Sequence, residues 1–397
     1  VHSSSPPTTT AIRDELLLML RPAGGGIHTV STGRAEQLEL QRRLYGAGTG
    51  GAAEIDARWR EAIERLVRGE ARVVVLGVPS DTGAGLVRGA AFGPGALRAA
   101  VLDLMPDFPE RAARAAIYDV GDVFVVPQLL HDEMLSEEQR AATRAAIYGA
   151  AAAATVAARL PVAPLSMAEA VVARLLSLAP GVKFFVLGGD HSVAWPVVAA
   201  LTAAAAATPA NVPQGALGIV HPDAHTDLLP ERLGVKYCFA TWAYHANERI
   251  GRGGRLVQVG VRASSRPREH WEGTLGVRQF WAAEIAARGE AAVLDDIVAH
   301  LRAVGVRQVY LSNDIDGTDA AAAPATGAPE GGGLSVAFVR ALIARLGSEM
   351  SLLGGDLVEV APTVGAPEAA RRTVEVGARY VLDTLAALSG SRDLLIP

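Results

Sequence analysis

Cysteine is almost missing from this chain of 397 residues: Cys238 stands alone, so no disulfide can form within it and a reducing compartment is expected. Cytoplasm is the default location. Basic charge is not in excess either. The formal net charge is -5 and no basic stripe is visible, which argues against nucleic acid as a partner. No strongly apolar run reaches about 18 residues, so no membrane span is expected. Aromatic residues make up only 5% of the chain, so a local cluster of them attracts notice. The chain starts with Val, and Val1–Thr10 is rich in Ser, Thr and Pro. That composition fits a sequence boundary or the remnant of a processed, organelle-targeting segment.

Half of the residues are apolar, enough for one large core. Residues 11–21 and 34–69 carry helical periodicity on either side of the Gly-rich turn Gly24–Gly26. Regular strand–helix alternation begins near Arg72. The expected strands are Val73–Leu76, the short runs Ile117–Val120 and Val123–Val125, runs ending at Leu187, Val220, Val261 and Leu311, and a last strand Leu352–Leu357. Helices are expected over 94–103, 136–179 and 368–388. The Ala-biased tracts Thr202–Thr208 and Ala320–Ala325 read as filler. This alternation predicts an α/β fold: a single-domain, three-layer α/β/α arrangement around a mostly parallel, doubly wound sheet. Residues 71–397 would form that unit and residues 1–70 a partly helical N-terminal extension.

Three strings concentrate acid and imidazole: Gly189-Asp190-His191, Asp223-Ala224-His225-Thr226-Asp227 and Asn313-Asp314-Ile315-Asp316. Each follows an apolar run that reads as a buried strand, and ligands in open α/β sheets bind at the carboxyl ends of strands. In an extended segment, alternate residues share a side, so Asp223, His225 and Asp227 would face one centre, as would Asp314 and Asp316. His191 adds an imidazole from another strand. Asp190 aside, six donors suffice for two divalent ions that share a carboxylate. Four carboxylates crowd a dry pocket only if cations neutralise them. A hydroxide bridging the ions would be the nucleophile. A helix cap or a core histidine explains any one string; it does not explain three in this setting. Ligand chemistry alone leans toward Mn²⁺, with Ni²⁺ or Zn²⁺ as alternatives.

These strings resemble the ureohydrolase family, which includes arginase, agmatinase and guanidinobutyrase, from about Val73 to Leu385. Gly77-Val78-Pro79, Gly83, Arg88-Gly89-Ala90 and Phe92-Gly93-Pro94 are similar to its first signature, Asp119-Val120-Gly121-Asp122 to its second, and Asp356 to Pro362 to its last. The resemblance implies an arginase-like fold and one metal held by His191, Asp223, Asp227 and Asp314. It implies a second metal held by Asp223, His225, Asp314 and Asp316. Asp227 would accept a hydrogen bond from the nucleophile, Glu359 would pair with the guanidinium, and Asp319 would be a supporting carboxylate. Trimers or hexamers, and accessory proteins for metal loading, are also implied.

The departures point to the substrate. Where the family presents Ser-His-Gly-Thr, with a proton-shuttling His, this chain has Cys238-Phe239-Ala240-Thr241. The run from Lys236 to Asn247, and the long N-terminal segment, resemble the branch of nickel enzymes that cleave free guanidine to urea and ammonia. The resemblance therefore implies two Ni²⁺ per chain, with Mn²⁺ as the alternative. Guanidinium has no tail, so carboxylates and aromatic faces must hold it. Glu359, Asp190, Phe239, Thr241 and Trp242 are the expected binding residues, with Tyr244 nearby. Asp227, Glu359 and, as a substitute proton donor, His245 are the expected catalytic ones; His270 is a weaker candidate donor. The alternatives are a ureohydrolase for a tailed guanidine and a silent partner subunit.

Overall fold

A computed structural model describes residues 8–27, 32–207 and 216–396. Residues 1–7 of the Ser/Thr/Pro-rich start and Thr208 of the Ala-biased tract lie outside them. Among the described residues, nine strands form one sheet: β1 (Leu20–Arg21), β2 (Val73–Val78), β3 (Ile117–Val123), β4 (Lys183–Gly188), β5 (Leu217–Pro222), β6 (Leu256–Val261), β7 (Arg278–Trp281), β8 (Gln308–Asp314) and β9 (Ser351–Val358). Their order across the sheet is β1-β3-β2-β4-β9-β8-β5-β6-β7. All neighbours are parallel except β1, which runs antiparallel to β3.

Successive strand residues enter opposite faces. Val73, Val75, Phe185, Leu187, Val309 and Leu311 join one core layer, with the helices Gly93–Leu104, Glu290–Ala303, Val336–Glu349 and Pro367–Ser389. Val74, Leu76, Phe184, Val186 and Tyr310 join the other, with Thr9–Met19, Ala52–Val67, Pro164–Leu178 and Trp242–Ile250. Helices on both faces explain why the strands read as apolar runs without alternation. The expected three-layer α/β/α architecture is the observed one.

Two strands escaped the sequence reading. The expected helix 11–21 ends at Met19, because Leu20 turns extended and pairs with Val123 while Arg21 pairs with Asp122. A two-residue pairing has no period to read. β7 spans four residues, too few for a pattern to stand out. The N-terminal segment is tied down at this edge. Asp122 accepts the Gly24 amide at 2.7 Å, and Arg98 pairs with both Asp119 and Asp122. Trp59 donates its indole N–H to the Val120 carbonyl at 2.8 Å. Gly121 sits at φ +88°, and a Cβ there would lie 2.0 Å from the Arg21 carbonyl oxygen, so the contact requires glycine.

Candidate metal centre

The topology gathers what the sequence separates. β4, β9, β8 and β5 are consecutive across the sheet, and their carboxyl ends carry His191, Glu359, Asp314 and Asp223 respectively. Neighbouring strands lie about 4.8 Å apart, so the four strings open into one cleft. Convergence within a string is not the work of strand alternation, however. Residues 223–227 lie beyond the end of β5, with bends at Ala224 and His225. Asp227 takes φ +52°. Asp314 ends β8, and Asp316 sits in the 3-10 turn Ile315–Gly317, its N–H donated to Asp314 Oδ1 at 2.9 Å. The loops aim these side chains.

His191 Nδ1 lies 2.9 Å from Asp314 Oδ2, 3.3 Å from Asp223 Oδ2 and 3.5 Å from Asp227 Oδ2. His225 Nδ1 lies 3.1 Å from Asp316 Oδ2 and 3.4 Å from Asp223 Oδ1. Asp223 thus faces two groups of donors, one on each side. All four carboxylates are buried: Asp223 is 0% exposed, Asp227 7%, and Asp314 and Asp316 3% each. Their ion-pair partners are imidazoles.

Without cations this arrangement distorts every titration. Burial pushes Asp227 up to about 8, with the Asp223 charge adding to it, and raises Asp314 well above and Asp316 above the carboxylate range. Burial alone would lower His225, but Asp223 and Asp316 outweigh it and push it up to about 12. Burial likewise opposes the low value of Asp223, but His221 and the other imidazoles hold it well down. Protons on imidazole and carboxylate here occupy the role of positive charge in a cluster of four acids. Oxygen and imidazole donors in this number fit a pair of divalent ions.

A buried relay sets His191 up as a ligand. Tyr310 and Ser312 both donate hydroxyl protons to Asp356, at 2.7 and 2.9 Å. The Ser312 oxygen is therefore left to accept His191 Nε2–H at 3.0 Å, which leaves Nδ1, turned to the carboxylates, as the nitrogen that would meet a metal. Trp242 stacks on His191 with centroids 4.5 Å apart and donates its indole N–H to Asp227 Oδ2 at 3.0 Å.

Glu359 is buried at the end of β9 with φ +61°, and its Oε1 accepts the His191 backbone N–H at 3.0 Å. Non-glycine residues held at positive φ cost on the order of 1–3 kcal/mol and cluster at functional sites. Asp227 and Glu359 are both such residues. Burial, followed by the Asp190 charge, raises Glu359 well above the usual range. Phe239 donates its backbone N–H to the Gly83 carbonyl at 3.1 Å, its ring lies against Gly85, and the Arg232 guanidinium stacks 4.8 Å above it.

Several expected binding residues are placed differently. Both Asp190 oxygens accept backbone N–H groups, from Ser192 at 2.8 Å and Gly83 at 3.0 Å, so its carboxylate fastens loops instead of facing a ligand. Thr241 is fully buried, and its hydroxyl closes the turn at Cys238. Trp242 is fully buried behind Asp227. These three support the site; they do not line it. His245 turns Nε2–H to the Lys236 carbonyl at 3.0 Å and packs among Trp195, Tyr237 and Tyr244, which gives its proton a partner already. Asp319 caps the backbone of Ala321 and Gly333, and His270 is exposed on the helix Arg268–Leu275. The sequence reading gave no role to His221, Ser312, Asp356, Gln258 and Gln279. The first four are polar residues within apolar strand runs, a visible signal; Gln279 lies on β7, which is too short to read.

This fold and donor set define the class: a metal-dependent hydrolase of three-layer α/β/α architecture. Residues 71–386 match the Arginase family, and the chain belongs to that family. It is accordingly a ureohydrolase-family enzyme, which hydrolyses C–N bonds of guanidino compounds and whose members typically bind a pair of divalent ions. It is 34% identical over 293 residues to the N(1)-aminopropylagmatine ureohydrolase of Thermus thermophilus, covering 74% of this chain and 84% of that one. It is 30% identical over 325 residues to the guanidinobutyrase of Pseudomonas aeruginosa, with 79% and 86% covered. The solved structure of proclavaminate amidino hydrolase from Streptomyces clavuligerus superposes with TM-score 0.60 at 26% identity, covering 80% and 92%. Among the described residues, no helix is long and apolar enough to cross a membrane.

Proposed function

We propose that the chain hydrolyses free guanidine to urea and ammonia, with two Ni²⁺ ions per chain and Mn²⁺ as the alternative. The reading is carried by Phe239, which lies against the 83–85 loop at a position where the family resemblance implies a proton-shuttling His. His191, Asp223, Asp227 and Asp314 would hold one ion, and Asp223, His225, Asp314 and Asp316 the other. When bound, such a pair lowers the pKa of water from 15.7 to roughly 7 and neutralises the four acids.

The chain's own residues do the rest. Glu359, anchored through Oε1 to the His191 amide, offers Oε2 to the planar N–H array of guanidinium. Asp227 takes up the proton released as the C–O bond forms and returns it to the departing nitrogen. The Trp242 N–H holds Oδ2 and leaves Oδ1 for that proton. Guanidinium and water give urea and ammonium, so atoms and charge balance. Residues 71–397 would be the catalytic unit, residues 1–70 its extension, and the assembly a homo-oligomer.

A tailed guanidine is the second reading, favoured by the names of the two relatives above. Urea release from guanidine, agmatine, arginine and 4-guanidinobutyrate, with protein loaded separately with Ni²⁺ and Mn²⁺, decides between them. Turnover of guanidine alone, strongest with Ni²⁺, supports the first. Turnover of a tailed substrate with Mn²⁺ overturns it.

A further inference from the structure

Polar side chains cross the sheet in a line that ends on Asp223. His221 on β5 is the register partner of Gln258 on β6, and Gln258 that of Gln279 on β7. All three are 0% exposed. Trp281 Nε1 lies 2.9 Å from Gln279 Oε1, Gln279 Nε2 2.8 Å from Gln258 Oε1, and Gln258 Nε2 3.0 Å from His221 Nδ1. His221 Nε2 then meets Asp223 Oδ2 at 2.6 Å.

The direction of this chain follows from its ends. An indole N–H only donates, so Gln279 presents its oxygen to Trp281 and its amino group to Gln258. Gln258 in turn presents its amino group to His221. The near end agrees: the same Gln258 nitrogen donates to the Thr226 carbonyl at 2.6 Å, and a carbonyl only accepts. His221 Nδ1 is therefore a bare acceptor, and the ring proton sits on Nε2, aimed at Asp223. His191, 4.9 Å away and edge-on, has the opposite arrangement, with Nε2–H given to Ser312 and Nδ1 turned to the carboxylates.

Three imidazoles adjoin Asp223. Two of them, His191 and His221, lie on the side of Asp227, and geometry alone would let either join a donor group with it. Their hydrogen bonds separate them. We propose that His221 is a positioning residue and not a metal ligand: the Trp281–Gln279–Gln258 relay holds it as the Nε2–H tautomer, and that N–H fixes the Asp223 carboxylate shared between the two donor groups. No lone pair of His221 faces the cluster. The effect on metal binding rests on the metal-centre reading above; the tautomer does not.

Nitrogen-15 NMR of histidine-labelled protein tests this, the His221 signals being assigned by their loss in His221→Gln. In metal-free protein at neutral pH, His221 should show a protonated Nε2 and a bare Nδ1, unchanged on adding diamagnetic Zn²⁺. A bare Nε2, or a coordination shift of either nitrogen with Zn²⁺, overturns the proposal. Titration calorimetry with Mn²⁺ gives the second readout. His221→Leu should weaken binding about 10- to 100-fold, the range for groups that orient ligands. His221→Gln keeps an N–H near the Nε2 position and should restore most of that loss. Should His221→Leu not fold by circular dichroism, Gln258→Glu replaces it: a carboxylate draws the ring proton to Nδ1 and should weaken binding similarly. Undiminished affinity in a folded variant overturns the proposal. Wild-type protein that binds no Mn²⁺ would sink the metal-centre reading instead, while the tautomer in metal-free protein still decides the relay.

Discussion

Trp242→Phe isolates one hydrogen bond. The indole is fully buried, stacks on His191 and donates to Asp227 Oδ2 at 3.0 Å. Phenylalanine keeps a ring over His191 and removes the N–H. A hydrogen bond to a charged group is worth about 1.5–3 kcal/mol. At about 1.36 kcal/mol per decade, that corresponds to roughly 10- to 150-fold in rate if the bond matters mainly in the transition state. Asp227 sits at φ +52°, a strained backbone conformation, so freeing its side chain gives it room to leave the productive orientation. The expected result is a kcat for urea release lowered by about 10- to 150-fold, with bound metal unchanged by elemental analysis. The substrate is whichever guanidino compound the wild type turns over best. A double-mutant cycle makes the test specific. If Trp242 acts through Asp227, Trp242→Phe should do little further harm in an Asp227→Asn background. A kcat within about twofold of wild type at full metal content would refute the reasoning, as would additive losses in the cycle.

Ser312→Ala removes the acceptor of His191 Nε2–H; Mn²⁺ affinity by calorimetry should fall about 10- to 100-fold, and an unchanged affinity would deny the relay through Asp356 any role. Metal uptake should release protons. His225 near 12 and Asp227 near 8 hold protons at neutral pH in metal-free protein and must lose them to become donors. Affinity should therefore rise between about pH 6 and pH 8, and calorimetry in buffers of different ionisation enthalpy should read net proton release; zero release would contradict the assignment of these donors. Gly121→Ala places a Cβ 2.0 Å from the Arg21 carbonyl oxygen at φ +88°. The left-handed conformation alone costs about 1–2 kcal/mol, so a lower thermal midpoint and faster proteolysis around residues 8–27 are expected. A midpoint equal to wild type would show that β1 is not held by this contact.

The sequence by itself determined the class of fold, because helices on both faces bury the strands and turn them into apolar runs such as Phe184-Phe185-Val186-Leu187. It also picked out the acids and imidazoles that the fold gathers at neighbouring strand ends, since acid and imidazole following a buried strand need little context to be read. Tertiary structure decided the rest. β9 and β8 enter between β4 and β5, and that order alone puts His191, Glu359, Asp314 and Asp223 at neighbouring strand ends. Local sequence carries no record of such crossovers. Loop bends at Ala224 and His225 and the positive φ of Asp227, and not the alternation of a strand, aim the DAHTD donors. The polar atoms of Asp190, Thr241 and Trp242 were claimed by backbone and carboxylate partners that chain proximity does not reveal. The protons of His191 and His221 follow from the same kind of fact. A tautomer is set by what the far nitrogen touches, and those partners, Ser312 and Gln258, come from β8 and β6, strands that only the folded sheet brings alongside.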